Sequence, residues 1–232
     1  MANKPKVFIG VGHGGKDPGA VANGLVESHI NLTMALAMQK ELVRHGVMVG
    51  MSRLHDEDDP LTEEIAEAIA FCPELAVEVH NNAGGGDGFE VYYQTNRFTT
   101  RSLALAQAIE KEILAIGQNS RGCKTRLSGD ADYYGWLRQV PCPAVLCEGA
   151  FLDNAADRQS IATQAAQERF GVAYAKGVLA LLGIAYTPEK VLTKGKAIQL
   201  GFYTREDFAQ VELQRVRGMG LNAFLVEAER YV

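Results

Sequence analysis

The stretch 7-VFIGVGHGGKDPGA-20 decides how this chain is read. Its first five residues form an apolar, β-rich run suited to a strand with both faces buried. The rest is a glycine-rich loop in which Gly10, Gly12 and Gly15 spell G-x-G-x-x-G. A strand running into that spacing opens a dinucleotide site only when a helix begins inside the motif and meets the pyrophosphate with its N-terminus. Here Pro18 turns Asp17 away from helical geometry, and Gly19 and Gly24 prolong the loop. The G-K-[ST] of a Walker loop is also missing. What the loop does carry is a histidine, His13, just past the end of the strand. A metal site is the better expectation.

Working outward, short apolar runs alternate with helical patterns. Strands are expected at KVFIGVG, VMVGMSR, LAVEVHNN, FEVYYQ and PAVLCEGAF. Helices are expected over 28–45, over DPLTEEIAEAIA, over about 100–116 and, as one long element, over 155–182. In the first helix Leu32, Ala35, Leu36, Leu42 and Val43 fall at helical spacing, and Gly46 stops it. This alternation predicts an α/β fold with a largely parallel sheet covered on both faces. Active sites of such sheets lie at the carboxyl ends of the strands. His13, His80 and Glu148 all fall there.

The metal reading asks for further ligands. Glu27 stands at the mouth of the first helix, fourteen residues beyond His13, and His80 lies near the end of its strand. Two imidazoles and one carboxylate leave a fourth position open, which is the arrangement of a catalytic zinc. Such an ion lowers the pKa of its water, and a nearby carboxylate is needed to carry the proton. Glu148, an acid in an otherwise apolar strand, is the candidate, because a buried charge is costly unless it is paired or functional.

Together the motifs GHGGKDPGA, the following Glu, H-x-N-A, GFEVYY and PAVLCEGAFLDN resemble the zinc-dependent N-acetylmuramoyl-L-alanine amidases of the type 3 class, found in bacterial autolysins and phage endolysins. The resemblance covers roughly residues 5–183. It implies a three-layer α/β/α domain around a twisted sheet, one catalytic Zn2+ held by His13, Glu27 and His80, and Glu148 as acid/base. The implied reaction is hydrolysis of the amide between N-acetylmuramic acid and L-alanine in peptidoglycan. A zinc amidase or peptidase with another substrate, and a non-catalytic wall-binding module, are the alternatives. The chain departs from the family pattern at Glu78, where a small Ser is usual, and in lacking an Arg-containing helix before the third strand. Glu78, His80 and Asn82 should share one strand face. Three readings of Glu78 stay open: a partner that orients the His80 ring, a change in the substrate groove, or a half-exposed side chain. Asn82 is a candidate for the same orienting shell.

Bulk properties narrow the function further. The 232 residues carry a formal charge of −5 and are 47% hydrophobic, with no apolar run long enough to span a bilayer. A soluble protein that does not bind nucleic acid is expected. The opening MANKPKVFIG enters a strand almost at once, so no cleavable leader is expected, and action on the wall would follow release by phage or mother-cell lysis. Cys72, Cys123, Cys142 and Cys147 lack metal or disulfide spacing and read as reduced, mostly buried thiols. His29, His45 and His55 read as structural or surface residues, His45 at a helix end where a cation suits the dipole. Tyr133, Tyr134 and Trp136 suit either a sugar-stacking wall or the core. The catalytic domain is expected over 1–183 and a linker over 184–195. A small βαβ unit is expected over 196–232, resembling half of a SPOR-type repeat. Wall binding and pairing into a homodimer are its two candidate roles.

Overall fold

The computed structural model describes residues 4–189 and 214–215. The chain divides into two compact units, Met1–Thr187 and Pro188–Val232, and everything below concerns the first. The expected linker beyond residue 189 and the βαβ unit over 196–232 lie outside the described residues, Gln214 and Arg215 apart.

Strand β1 (Lys6–Val11) leads through the glycine loop to a small hairpin, β2 (Val21–Ala22) and β3 (Leu25–Val26), and then to α1 (Glu27–Arg44). Next come β4 (Met48–Met51), α2 (Leu61–Phe71), β5 (Leu75–Asn82), β6 (Phe89–Tyr93), α3 (Thr99–Ala115) and β7 (Ser120–Lys124). A second small hairpin, β8 (Leu127–Ser128) and β9 (Ala131–Asp132), precedes α4 (Gly135–Gln139), β10 (Ala144–Phe151), α5 (Ala155–Ser160) and α6 (Gln164–Leu181). Six strands form one sheet in the order β4-β1-β5-β10-β6-β7. Every neighbouring pair is parallel except β10 with β6. The α/β expectation holds, with this one antiparallel pair inside the sheet.

Both faces are covered, which is why the strands read as continuous apolar runs. Val7, Ile9 and Val11 of β1 join Leu75, Val77 and Val79 of β5 in a core with α1, α3 and α6. Phe8, Ala76, Ala144 and Leu146 face the other way, against Ile65 and Ala68 of α2 and Trp136 and Leu137 of α4. That second face also carries the candidate site residues Glu78, His80 and Glu148. Gly10 is register-paired with Glu78, and Leu146 with Glu78 and Tyr92. One pleat further on, Glu148 is paired with His80 on one side and Glu90 on the other.

Three expectations need correction. The helix over 155–182 is two helices. Asn154 caps α5 by accepting from the Ala156 and Asp157 N–H groups, and Thr163 starts α6 afresh by accepting from Ala166 N–H. In α1 the buried row is Ile30, Met34, Met38 and Leu42 at i,i+4 spacing, whereas Leu36 and Val43 are exposed. The apolar set chosen from sequence straddled two faces of the helix. Among the cysteines, Cys142 and Cys147 are buried, but Cys123 is half-buried and Cys72 exposed; all four are free.

Residues 184–187, read as linker, pack on the end of α1. The Tyr186 ring stacks 5.1 Å from that of His45, and Thr187 N–H donates to His45 Nε2 at 3.0 Å. His45 is the residue that ends α1, as its place before Gly46 suggested.

Candidate metal centre

His13, Glu27 and His80 converge, with one ligand atom from each within 4.8 Å of the others. Glu27 Oε1 lies 3.3 Å from His13 Nε2 and 3.1 Å from His80 Nδ1. Ligands about 2.1 Å from a tetrahedral ion stand about 3.4 Å apart, so these spacings suit one small divalent cation. Two imidazoles and a carboxylate are the donor set that zinc favours.

Each candidate ligand is fixed by the local fold. The loop after β1 bends at His13, whose φ of 62° is left-handed, a region that non-glycine residues enter rarely. Gly12 is obligatory for a different reason: a Cβ there would lie 2.1 Å from the His80 ring. Glu27 opens α1, and its Oε2 accepts from Ala20 N–H at 2.8 Å while the helix N-terminus favours its charge. Its Oε1 accepts from Asn81 N–H at 3.1 Å. Behind the loop, Arg53 is 2% exposed and donates to the carbonyls of Val11, Gly12, His55 and Ser28. Asn31 donates to Gly12 O, and Asn81 donates to Asn31 Oδ1.

Burial pulls the His13 and His80 pKa values down, but Glu27 carries both above the ordinary imidazole value, with Glu78 helping at His80. Burial would raise the pKa of Glu27, yet the two imidazoles hold it well below the usual carboxylate range. Glu27 is therefore an anion at any working pH, as a metal ligand must be. Glu148 behaves differently. Burial raises its pKa to about 7 despite the opposing pull of His80, and its Oε2 is buried with no hydrogen-bond partner among the described residues. An acid poised near neutrality beside a metal site is suited to proton transfer.

Glu78, His80 and Glu148 alternate onto one face of the sheet, and His13 and Glu27 reach the site from the loop after β1 and the start of α1. Glu78 is 3% exposed, and its Oε1 lies 3.3 Å from His80 Nε2, which removes the half-exposed reading. Asn82 turns its side-chain carbonyl to Ala83 N–H, and it is Asn81 that braces Glu27. Asp17, which sequence reasoning passed over, lies 2.7 Å from His13 Nδ1; its i,i+4 spacing from His13 in a Pro-turn was the only signal. Asn31 and Arg53 gave none, since both bond Gly12 O, a backbone carbonyl distant in sequence. Near the end of β10, Asp153 accepts from Gly84 and Gly85 N–H and Asp157 from Gly88 N–H, which ties the AGGGDG loop to the rim. Trp136 is core, whereas Tyr133 is 47% exposed and Tyr134 packs 4.9 Å from Tyr92.

A family model described as N-acetylmuramoyl-L-alanine amidase matches residues 7–180. The chain is 34% identical over 176 residues to the N-acetylmuramoyl-L-alanine amidase CwlM of Bacillus licheniformis, covering 75% of this chain and 67% of that protein. It is 30% identical over 200 residues to the sporulation-specific N-acetylmuramoyl-L-alanine amidase of Bacillus subtilis, covering 85% and 75%. Among solved structures, Cwp6 from Clostridium difficile superposes with a TM-score of 0.75 at 32% identity, over 78% of this chain but only 30% of that one.

Proposed function

Because this chain belongs to the N-acetylmuramoyl-L-alanine amidase family, we propose that it hydrolyses the amide between N-acetylmuramic acid and L-alanine in peptidoglycan. The observation that carries this reading is the convergence of His13, Glu27 and His80 beside Glu148, whose pKa of about 7 suits it to both taking and giving a proton.

His13 Nε2, Glu27 Oε1 and His80 Nδ1 are the atoms that would hold zinc. The ion would polarise the scissile carbonyl and make water nucleophilic near neutral pH. The remaining work falls to the protein. Glu148, register-paired with His80, stands about 5 Å from it along the sheet, within reach of an amide seated at the site. Its carboxylate accepts the proton of the attacking water and returns it to the alanine nitrogen, which then leaves as an amine. Burial of Oε2 keeps that proton from exchanging idly with solvent. Glu148 also speaks for an enzyme over a wall-binding module, because a buried, unpartnered acid costs stability and is not needed for adhesion.

With peptidoglycan as the substrate, the activity would be exerted on the cell wall. Among the described residues no helix is long and apolar enough to cross a membrane.

Digestion of purified peptidoglycan tests the proposal. New alanine amino termini without new reducing sugars, abolished by a chelator and restored by zinc, are expected. New reducing ends, or no cleavage by zinc-loaded protein, would overturn it.

A further inference from the structure

Glu78 precedes His80 by two residues on β5, so both side chains leave the same face of the sheet. A carboxylate there is expensive. Its side chain is 4% exposed, and Glu64 lies close by, over the register-paired Gly10, where a Cβ would meet the Glu64 carboxylate at 2.6 Å. Glu64 has its pKa raised well above the ordinary value by burial and then by Glu78. Two neighbouring buried acids persist only where one of them is needed. Among the described residues the ion-pair partner of Glu78 is the His80 ring.

That ring is held between two carboxylates. Nδ1 faces Glu27 Oε1 at 3.1 Å, inside the ligand cluster, and Nε2 faces Glu78 Oε1 at 3.3 Å, outside it. An imidazole binds a cation through a bare lone pair, so its proton must sit on the other nitrogen. We propose that Glu78 is a positioning residue: by accepting the Nε2–H of His80 it fixes the tautomer that offers Nδ1 to the metal, and so sets the affinity of the site. This rests on the metal reading above.

His13 has the mirror arrangement. Its Nδ1 faces Asp17 and its Nε2 faces Glu27. The two imidazoles therefore ligate through different nitrogens, each with a carboxylate behind it. The Asp17 side chain is 68% exposed. Water competes with Asp17 and screens it, whereas Glu78 acts through a poorly screened interior. Glu78 should be the stronger support.

The test uses the full chain. Zinc affinity is measured by competition with a chromophoric chelator, and the His80 ring nitrogens are assigned by long-range 1H–15N correlation in the zinc-loaded protein. The expected result is metal on Nδ1 and a proton on Nε2 in the parent. Glu78→Ala is expected to weaken zinc about 10- to 100-fold and Asp17→Ala less, while Glu78→Gln, which keeps a carbonyl acceptor, recovers part of the loss. Equal affinity in Glu78→Ala and the parent, metal on Nε2 of His80, or no zinc binding by the parent would each overturn the proposal. Should Glu78→Ala unfold, the nitrogen assignment in the parent decides. Cleavage is scored separately: a parent that holds zinc on Nδ1 yet leaves peptidoglycan intact would sink the amidase reading and leave this one standing.

Discussion

Glu148 shows how one residue can be read in two ways by experiment. As the proton carrier, its replacement by Gln should leave zinc content unchanged, measured by elemental analysis, and lower turnover on peptidoglycan about 10²- to 10⁴-fold. As a buried acid, it should also leave a mark on stability. Burial raises its pKa from 4.5 to about 7, so folding favours the protonated form. That contribution is complete below about pH 4.5 and is lost as pH rises through about 7, a span of about 3 kcal/mol. Urea unfolding of metal-free parent and Glu148→Gln at pH 5 and pH 8 should show the parent losing more stability between the two. Glu27 shifts the opposite way, so its contribution falls as pH drops, and it cancels in this comparison. Gly12 gives the sharpest steric test. Gly12→Ala would drive a methyl into the His80 ring, and zinc binding should be lost even where circular dichroism shows the fold retained.

At the scale of elements, the support for the site is helix packing. α6 lies against α1 and α3 so closely that a Cβ on Gly171 would meet Met34 O at 2.0 Å, and one on Gly177 would meet the Ile109 backbone at 2.6 Å. Neither contact involves a flexible side-chain end. Gly171→Ala and Gly177→Ala should each push the helices apart and cost about 1–3 kcal/mol, read from the denaturant midpoint. The gain in helix propensity, about 1 kcal/mol, does not offset this. The start of α6 is set by Thr163, and Thr163→Ala should cost about 1 kcal/mol in the same assay. That cap explains why 155–182 read as a single helix: apolar periodicity runs through both helices, while the break rests on one hydroxyl.

For the molecule as a whole, the second unit is the open part of the design. We propose residues 190–232 as a wall-binding or pairing segment. Removing them is expected to abolish retention on sedimented cell walls while leaving hydrolysis of soluble muropeptides intact. Retention unchanged after removal would end the wall-binding role, and sedimentation equilibrium of the full chain distinguishes pairing. The first unit has its own tie at this boundary, since Tyr186 and Thr187 close on His45. His45→Ala should speed hydrogen exchange at the Thr187 amide without altering zinc binding.

The sequence by itself determined the alternation of strands and helices, and it singled out His13, Glu27 and His80, which the fold brings together. Strand periodicity, Pro18 and the scarcity of charge in apolar strands are local signals, and they survive whatever the chain packs against. The tertiary structure alone decided what surrounds that trio. Asn81 rather than Asn82 meets Glu27, because its backbone N–H points across to α1. Arg53 is buried where the carbonyls of Val11, Gly12, Ser28 and His55, from three stretches of chain, converge on its guanidinium. Glu78 is buried and meets the His80 ring, where strand position alone also allowed a half-exposed side chain. Burial, and with it the strength and direction of every charge interaction at the site, depends on which distant segments meet, and no run of residues states that.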